Sequence, residues 1–197
     1  MAEKQKKKVG LFFGSFNPIH IGHLIIANSM LEHTSLDQVW FVVSPQNPFK
    51  KKKNLLNEVD RLRLVELAIE DQIAFKASNV EFSLPKPSYT IDTLTYLEEQ
   101  QGANFEFSLI MGSDNLEHFH KWKNHEAILE HYHIYAYNRP DSLSTDFHDH
   151  TSVTLVDAPL MHISATYIRA SIKEGKSIRY LVRDEVLQEI KAKQFYK

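Results

Sequence analysis

Gly14-Ser15-Phe16-Asn17-Pro18-Ile19-His20-Ile21-Gly22-His23 is the stretch from which the fold is read. Ahead of it, Val9 to Phe13 is a short, nearly continuous apolar run with β-branched and aromatic residues, the pattern of a buried strand in a parallel sheet. Behind it, Leu24, Ile25, Ala27, Asn28 and Leu31 continue as a mostly apolar helix. A strand therefore ends, the chain turns through small and turn-forming residues, and a helix begins with two histidines in its first turn. Such a helix start offers unpaired N–H groups and a partial positive charge, which suits phosphate. Gly14 lets the backbone come close to a ligand, and Pro18 stiffens the loop. His20 and His23 are three apart, lie on one helix face and can donate hydrogen bonds to the same anion. Either histidine alone would read as decoration of a helix start. Strand, Gly-Ser turn, Pro and His-x-Gly-His together are far more specific. A zinc site, the other sharp reading of a His pair, needs at least one more ligand, and the chain has no cysteine.

The 197 residues suffice for one α/β domain with a substantial core. A formal net charge of −2 gives no whole-molecule attraction to nucleic acid. The absence of cysteine excludes disulfides and thiol catalysis and is compatible with a cytoplasmic protein. Residues 1–7 read as a solvated basic tail ahead of one domain over 8–197. The apolar run Val9 to Phe13 is too short for a signal-peptide core or a membrane span, and no later stretch is long or apolar enough to span a bilayer.

Along the chain, Val39 to Val43 reads as a second buried strand, followed by a loop through Pro45, Pro48 and Phe49 and then Lys50 to Lys53. Asn57 is placed to cap a helix whose apolar positions are Leu62, Val65, Leu67 and Ile69. Val80-Glu81-Phe82-Ser83-Leu84 alternates and predicts a short strand ended by Pro85 and Pro87. A helix follows near Thr90, a strand over Phe105 to Met111, and a helical region through Leu116, Phe119, Trp122, Ile128 and Leu129. His133 to Tyr137 predicts a strand, 141–151 an exposed loop, and Val153 to Val156 a last strand. Ser164 is a good N-cap, with Ile163 and Ile168 spaced as a hydrophobic staple and Gly175 as a stop. A final helix runs from about Asp184, with Val186, Leu187 and Ile190 as its buried face. Strands alternating with helices predict an open parallel sheet with helices on both faces, whose ligands sit at the carboxyl ends of the strands. The turns after Phe13, Val43, Met111 and Tyr137 should therefore converge on one edge. Five of the eleven histidines, His118, His120, His125, His131 and His133, lie close in sequence, but their spacings match no metal motif.

Ile163-Ser164-Ala165-Thr166-Tyr167-Ile168-Arg169 carries a second site of the same build: two hydroxyls at a helix N-terminus and a fixed positive charge about one turn inside it. Standing alone it would be a capped amphipathic helix with a surface Arg. Paired with His-x-Gly-His, it resembles the Ile-Ser-x-Thr-x-x-Arg motif of adenylyltransferases in the nucleotidylyltransferase superfamily. Pro87-Ser88-Tyr89-Thr90-Ile91-Asp92-Thr93-Leu94, Gly112-Ser113-Asp114, Trp122 and Arg139-Pro140 narrow the resemblance to the bacterial nicotinate-nucleotide adenylyltransferases, from about Val9 to Tyr196.

That resemblance implies a Rossmann-like single domain that transfers AMP from ATP to nicotinate mononucleotide, with Mg²⁺ bound mainly through the ATP phosphates and no protein metal site. It implies that His20, His23 and Arg169 are catalytic. ATP would be held by Gly14, Ser15, Phe16, His20, His23, Gly112, Asp114, Ser164, Thr166 and Arg169. Nicotinate mononucleotide would be held by Ser15, Asn17, Lys50, Thr90, Trp122 and Arg139. A pyridinium is a flat cation that an indole face attracts, so Trp122 suits the acceptor ring. By itself Trp122 would read as an aromatic core residue, and Asp114 as a helix cap. One step departs from the family: Pro48-Phe49-Lys50 stands where many members have Pro-His-Lys or Pro-His-Arg, so Lys50 or a neighbouring Lys is the candidate replacement for the missing His, with a solvated loop as the equal alternative for Lys50. Lys51 to Lys53 read as solvated charge. Phosphopantetheine and nicotinamide mononucleotide are the rival acceptors, and a nucleotide sensor without turnover is the rival of another class. Neither nucleic acid nor membrane is an expected partner. Oligomeric state is not readable, and a homo-oligomer is compatible with the sequence.

Overall fold

Strands β1 (Lys7–Gly14), β2 (Gln38–Val43), β3 (Phe75–Ser78), β4 (Phe105–Gly112), β5 (His133–Tyr137) and β6 (Val153–Val156) form one sheet in the order β3-β2-β1-β4-β5-β6. Every pairing is parallel. The computed structural model describes residues 5–45, 55–139, 146–159 and 161–197. Strand order reverses between β1 and β4, and at such a switch point the loops above the carboxyl ends part to leave a crevice.

The helices are α1 (Ile21–His33), α2 (Glu58–Ile69), α3 (Thr90–Gln101), α4 (Ser113–Glu117), α5 (His125–His131), α6 (Ala165–Lys173) and α7 (Asp184–Ala192). They divide between the two faces because successive strand side chains point opposite ways. Phe12, Val39, Phe41, Val43 and Ile110 bury against Ala27 and Met30 of α1, Leu64 and Val65 of α2, Ile168 of α6 and Val186 of α7. Leu11, Trp40, Val42, Leu109 and Ile134 bury against Ile91, Leu94 and Leu97 of α3 and Ile128 of α5. The predicted helix signals appear where expected. Asn57 Oδ1 accepts the Val59 N–H at 2.8 Å, Ser164 Oγ accepts the Tyr167 N–H at 3.1 Å, and Gly175 takes a left-handed φ of 70° just past α6.

Three expectations are corrected. The predicted strand at Val80 to Leu84 is a 3₁₀ turn over Val80–Phe82, and the strand lies earlier, at Phe75–Ser78. The alternation is inverted there: Glu81 is the buried residue and accepts the Thr93 hydroxyl at 2.9 Å, while Val80 and Phe82 are only half-buried. The helical region from Leu116 to Leu129 is broken into α4, a 3₁₀ turn at Phe119–Lys121, and α5, with Asn124 in the left-handed region at φ 50°. Part of the loop predicted over 141–151 lies outside the described residues, and Asp146–Asp149 is a 3₁₀ turn. The sheet also begins one residue ahead of the expected boundary at 8: Lys7 is in β1 and donates its N–H to the Asn104 carbonyl at 3.0 Å.

Candidate active site

The turn after β1 is fixed from all sides. Ser44, just beyond β2, donates its N–H to the Gly14 carbonyl at 2.9 Å. Phe16 takes φ 44°, a strained region for a residue with a Cβ. Its buried ring compensates by packing edge-on to Phe12 at 5.9 Å and Phe41 at 5.6 Å. The chain then enters α1 with His20 as N-cap and His23 as the third residue, so only His23 is inside the first turn.

The two imidazoles stack with centroids 3.7 Å apart and planes 26° apart. The His20 N–H donates to His23 Nδ1 at 3.2 Å. A neutral His23 therefore carries its proton on Nε2. Burial, helped by the positive charge of Arg139, lowers the His20 pKa from the ordinary 6.5 to about 4. At neutral pH His20 is an uncharged ring. Stability follows with a definite sign. The unfolded chain binds this proton near 6.5 and the folded chain only near 4, so the stabilisation is complete above pH 6.5 and is lost as pH falls towards 4. The gap corresponds to about 3 kcal/mol. Denaturant unfolding between pH 7.5 and 4.5 should show the wild type losing roughly that much more than His20→Asn; parallel pH curves would contradict a buried neutral His20.

Across the crevice stands Arg139. Its N–H donates to Ser113 Oγ at 2.8 Å, its Nη2 donates to the Tyr137 hydroxyl at 3.2 Å, and its Nε lies 3.9 Å from Asp114 Oδ1. Gly112 makes this approach possible, since a Cβ there would sit 3.1 Å from Arg139 Cγ. His20, Gly22, His23, Tyr137, Arg139 and Ile163 line one cleft at the carboxyl edge of the sheet.

The α6 segment is tied to the β1 turn by Arg169. Its Nη1 donates to the Asn17 carbonyl at 2.7 Å and its Nη2 to Thr166 Oγ1 at 3.2 Å. Asn17 is itself buried, and its Oδ1 accepts the Leu56 N–H at 3.3 Å and the Tyr196 hydroxyl at 3.0 Å. Asn17 is thus the hub of the turn, with its side-chain oxygen directed inward. Ser15 is held by its carbonyl, which accepts from Arg61 at 2.6 Å.

Thr90 and Trp122 belong to the opposite face of the sheet from α1. Thr90 opens α3, and Trp122 packs on Phe119 at 5.3 Å. Lys123 Nζ bonds both Asp92 oxygens, at 2.8 and 2.9 Å, and so joins the chain beside Trp122 to the first turn of α3. Lys50 and Phe49 lie outside the described residues. Of the expected site residues, His20, His23 and Arg139 share the cleft, Gly14 to Asn17 form the turn beside it, and Arg169 meets that turn from α6, whose start carries Ser164 and Thr166. The sequence reading missed Arg61, Tyr196 and Glu81. For Arg61 a signal existed: it falls at 61, 64, 65 and 68, the buried stripe of α2.

A family described as cytidylyltransferase-like matches residues 11–171. A Cytophaga hutchinsonii protein named probable nicotinate-nucleotide adenylyltransferase is 58% identical, over 96% of this chain and 98% of its own length. A Flavobacterium psychrophilum protein of the same name is 51% identical, over 96% of this chain and 99% of its own. In fold, the chain matches Plasmodium falciparum nicotinic acid mononucleotide adenylyltransferase complexed with NaAD, with a TM-score of 0.81 at 17% identity, over 96% of this chain and 97% of that one. The chain belongs to the nicotinate-nucleotide adenylyltransferase family, among the cytidylyltransferase-like proteins.

Proposed function

We propose that the chain joins ATP and nicotinate mononucleotide into nicotinate adenine dinucleotide with release of pyrophosphate. The observation that carries this reading is the convergence of His20, His23 and Arg139 on one cleft at the switch point, beside a turn that Arg169 grips from α6. A phosphate oxygen of the mononucleotide forms a bond to the α-phosphorus of ATP, and the bond from that phosphorus to the β-phosphate bridging oxygen breaks. The acceptor phosphate is already largely ionised near neutral pH, its second pKa being about 6, so no general base is required.

The protein's task is alignment of two anions that repel, and stabilisation of charge on the α-phosphoryl and the leaving group. His23 donates from Nε2, and Arg139 and Arg169 supply fixed charge. Ser164 and Thr166 line the start of α6 towards the triphosphate, and Asp114 receives the adenosine ribose. Mg²⁺ enters with ATP as part of the substrate, on its phosphate oxygens. Thr90, the backbone beside Trp122, and Lys50 serve the acceptor. No helix among the described residues is long and apolar enough to cross a membrane. On this reading the chain works in the cytoplasm, alongside ATP and its phosphorylated acceptor.

The test is pyrophosphate release with ATP and Mg²⁺, comparing nicotinate mononucleotide, nicotinamide mononucleotide and phosphopantetheine. Fast release with the nicotinate compound alone is expected. Preference for another acceptor would overturn the acceptor assignment, and ATP binding without release would make the chain a sensor. Trp122→Ala should raise the KM for nicotinate mononucleotide about tenfold with the KM for ATP little changed, as the loss of one cation–π contact requires. Equal KM values in variant and wild type would take Trp122 out of the acceptor site.

A further inference from the structure

Arg61 is fully buried on the apolar face of α2, beside Leu64, Val65 and Ala68. Its guanidinium donates four hydrogen bonds, each to a main-chain carbonyl. Nε reaches Leu56 at 3.0 Å, Nη1 reaches Ser15 at 2.6 Å and Ser44 at 2.8 Å, and Nη2 reaches Pro45 at 3.2 Å. Ser15 belongs to the turn that leads to the histidines. Ser44, Pro45 and Leu56 are the two ends of the segment between β2 and α2. One planar fork therefore registers the turn after β1 against the described ends of the segment that follows β2, which on the proposed function are two walls of the site. Lysine, a point charge with no fixed fork, could not span the same four acceptors.

The charge is also unbalanced. Among the described residues Arg61 has no carboxylate in an ion pair, and Glu58, one turn earlier on α2, is bound to Lys86 at 2.9 Å. Residues 46–54, whose ends Arg61 holds, contain no Asp or Glu. Burying a cation is costly, and here four hydrogen bonds to main-chain carbonyls, rather than a counter-ion, offset that cost. On the proposed function, anions bind at the turn whose Ser15 carbonyl Arg61 holds, which gives a standing positive charge a use here. The carbonyls of Ser15, Ser44 and Pro45, which would repel an anion, are turned into the guanidinium instead.

We propose that Arg61 is a positioning residue: it sets the register of the phosphate turn against the second loop and places a buried positive charge behind the bound phosphates. This rests on the proposed function. The test compares Arg61→Lys and Arg61→Met with Leu64→Ala, a cavity on the same buried face of α2 that removes no hydrogen bond to either segment. Each is measured for thermal unfolding, kcat, and calorimetric binding of pyrophosphate without turnover. Arg61→Lys should unfold cooperatively, bind pyrophosphate within about threefold of wild type, and lose about a hundredfold in kcat, as a misplaced wall predicts. Arg61→Met should lose about tenfold in pyrophosphate binding, and Leu64→Ala should keep kcat within about threefold at an equal or larger drop in thermal midpoint. Four results would overturn the proposal: near-wild-type kcat in Arg61→Lys; equal losses of kcat in Arg61→Lys and Leu64→Ala; unchanged pyrophosphate binding in Arg61→Met; or failure of both Arg61 variants to fold while Leu64→Ala folds, which would assign Arg61 to the fold alone. If the wild type releases no pyrophosphate with any acceptor, the proposed function fails, and the pyrophosphate-binding series still decides the role of Arg61.

Discussion

His23→Ala is expected to lower kcat by two orders of magnitude or more while the chain still folds. The ring is oriented before substrate arrives. Its Nδ1 accepts the His20 N–H at 3.2 Å, and its faces are set by Phe16 at 5.1 Å and by the stacked His20 ring at 3.7 Å. A donor held this way at a developing charge is worth about 10²–10³ in rate, because the cost of orienting it is met by the fold. The structural loss is smaller: one helix-start acceptor, on the order of 1 kcal/mol. Steady-state pyrophosphate release, with the thermal midpoint of the same sample, separates the two effects. His23→Asn sharpens the comparison, since an amide oxygen can take over the capping role but places its donor differently. Near-wild-type turnover in either variant would remove His23 from the chemistry.

Arg169→Ala should be the more damaging change, with kcat/KM for ATP down about 10³-fold. Two functions fall together. On the proposed function a guanidinium charge beside the triphosphate disappears, and the 2.7 Å hydrogen bond that fixes the Asn17 carbonyl is lost. Arg169→Lys keeps a charge but not the fork that reaches both Asn17 and Thr166, so only part of the activity should return. Because Arg169 is half-exposed and α6 keeps its buried Ile168 and its Ser164 cap, the thermal midpoint should move by only a few degrees. An unchanged ATP dependence in Arg169→Ala would assign Arg169 to the turn's structure alone.

These effects depend on parts that the sequence reveals unevenly. The strand-turn-helix around Gly14, the cap at Asn57, the cap at Ser164 and the stop at Gly175 were legible because each is decided within a few residues. The same local logic misread Val80 to Leu84, because the burial of Glu81 depends on Thr93, twelve residues on. It also missed the break at Asn124, which takes the left-handed conformation that Asn adopts more readily than other non-glycine residues. At the site, residue types were legible and their partners were not. Arg61 meets Ser15 across 46 residues, Arg169 meets Asn17 across 152, and Tyr196 meets Asn17 across 179. No spacing rule reaches that far. So Asn17, expected as a substrate ligand, stands as the hub that joins α6, the chain's last residues and the base of the second loop. Arg139, expected with the acceptor, lines the same cleft as the two histidines, a proximity across more than 110 residues that no local signal reveals.

The proposed reaction is a single displacement achieved by alignment, with no group on the protein becoming adenylylated. It is tested most directly by exchange of labelled pyrophosphate into ATP in the absence of any acceptor. The account predicts no exchange until nicotinate mononucleotide or the dinucleotide product is added. Exchange without acceptor, at a rate comparable to turnover, would demonstrate an adenylyl-enzyme and contradict the account.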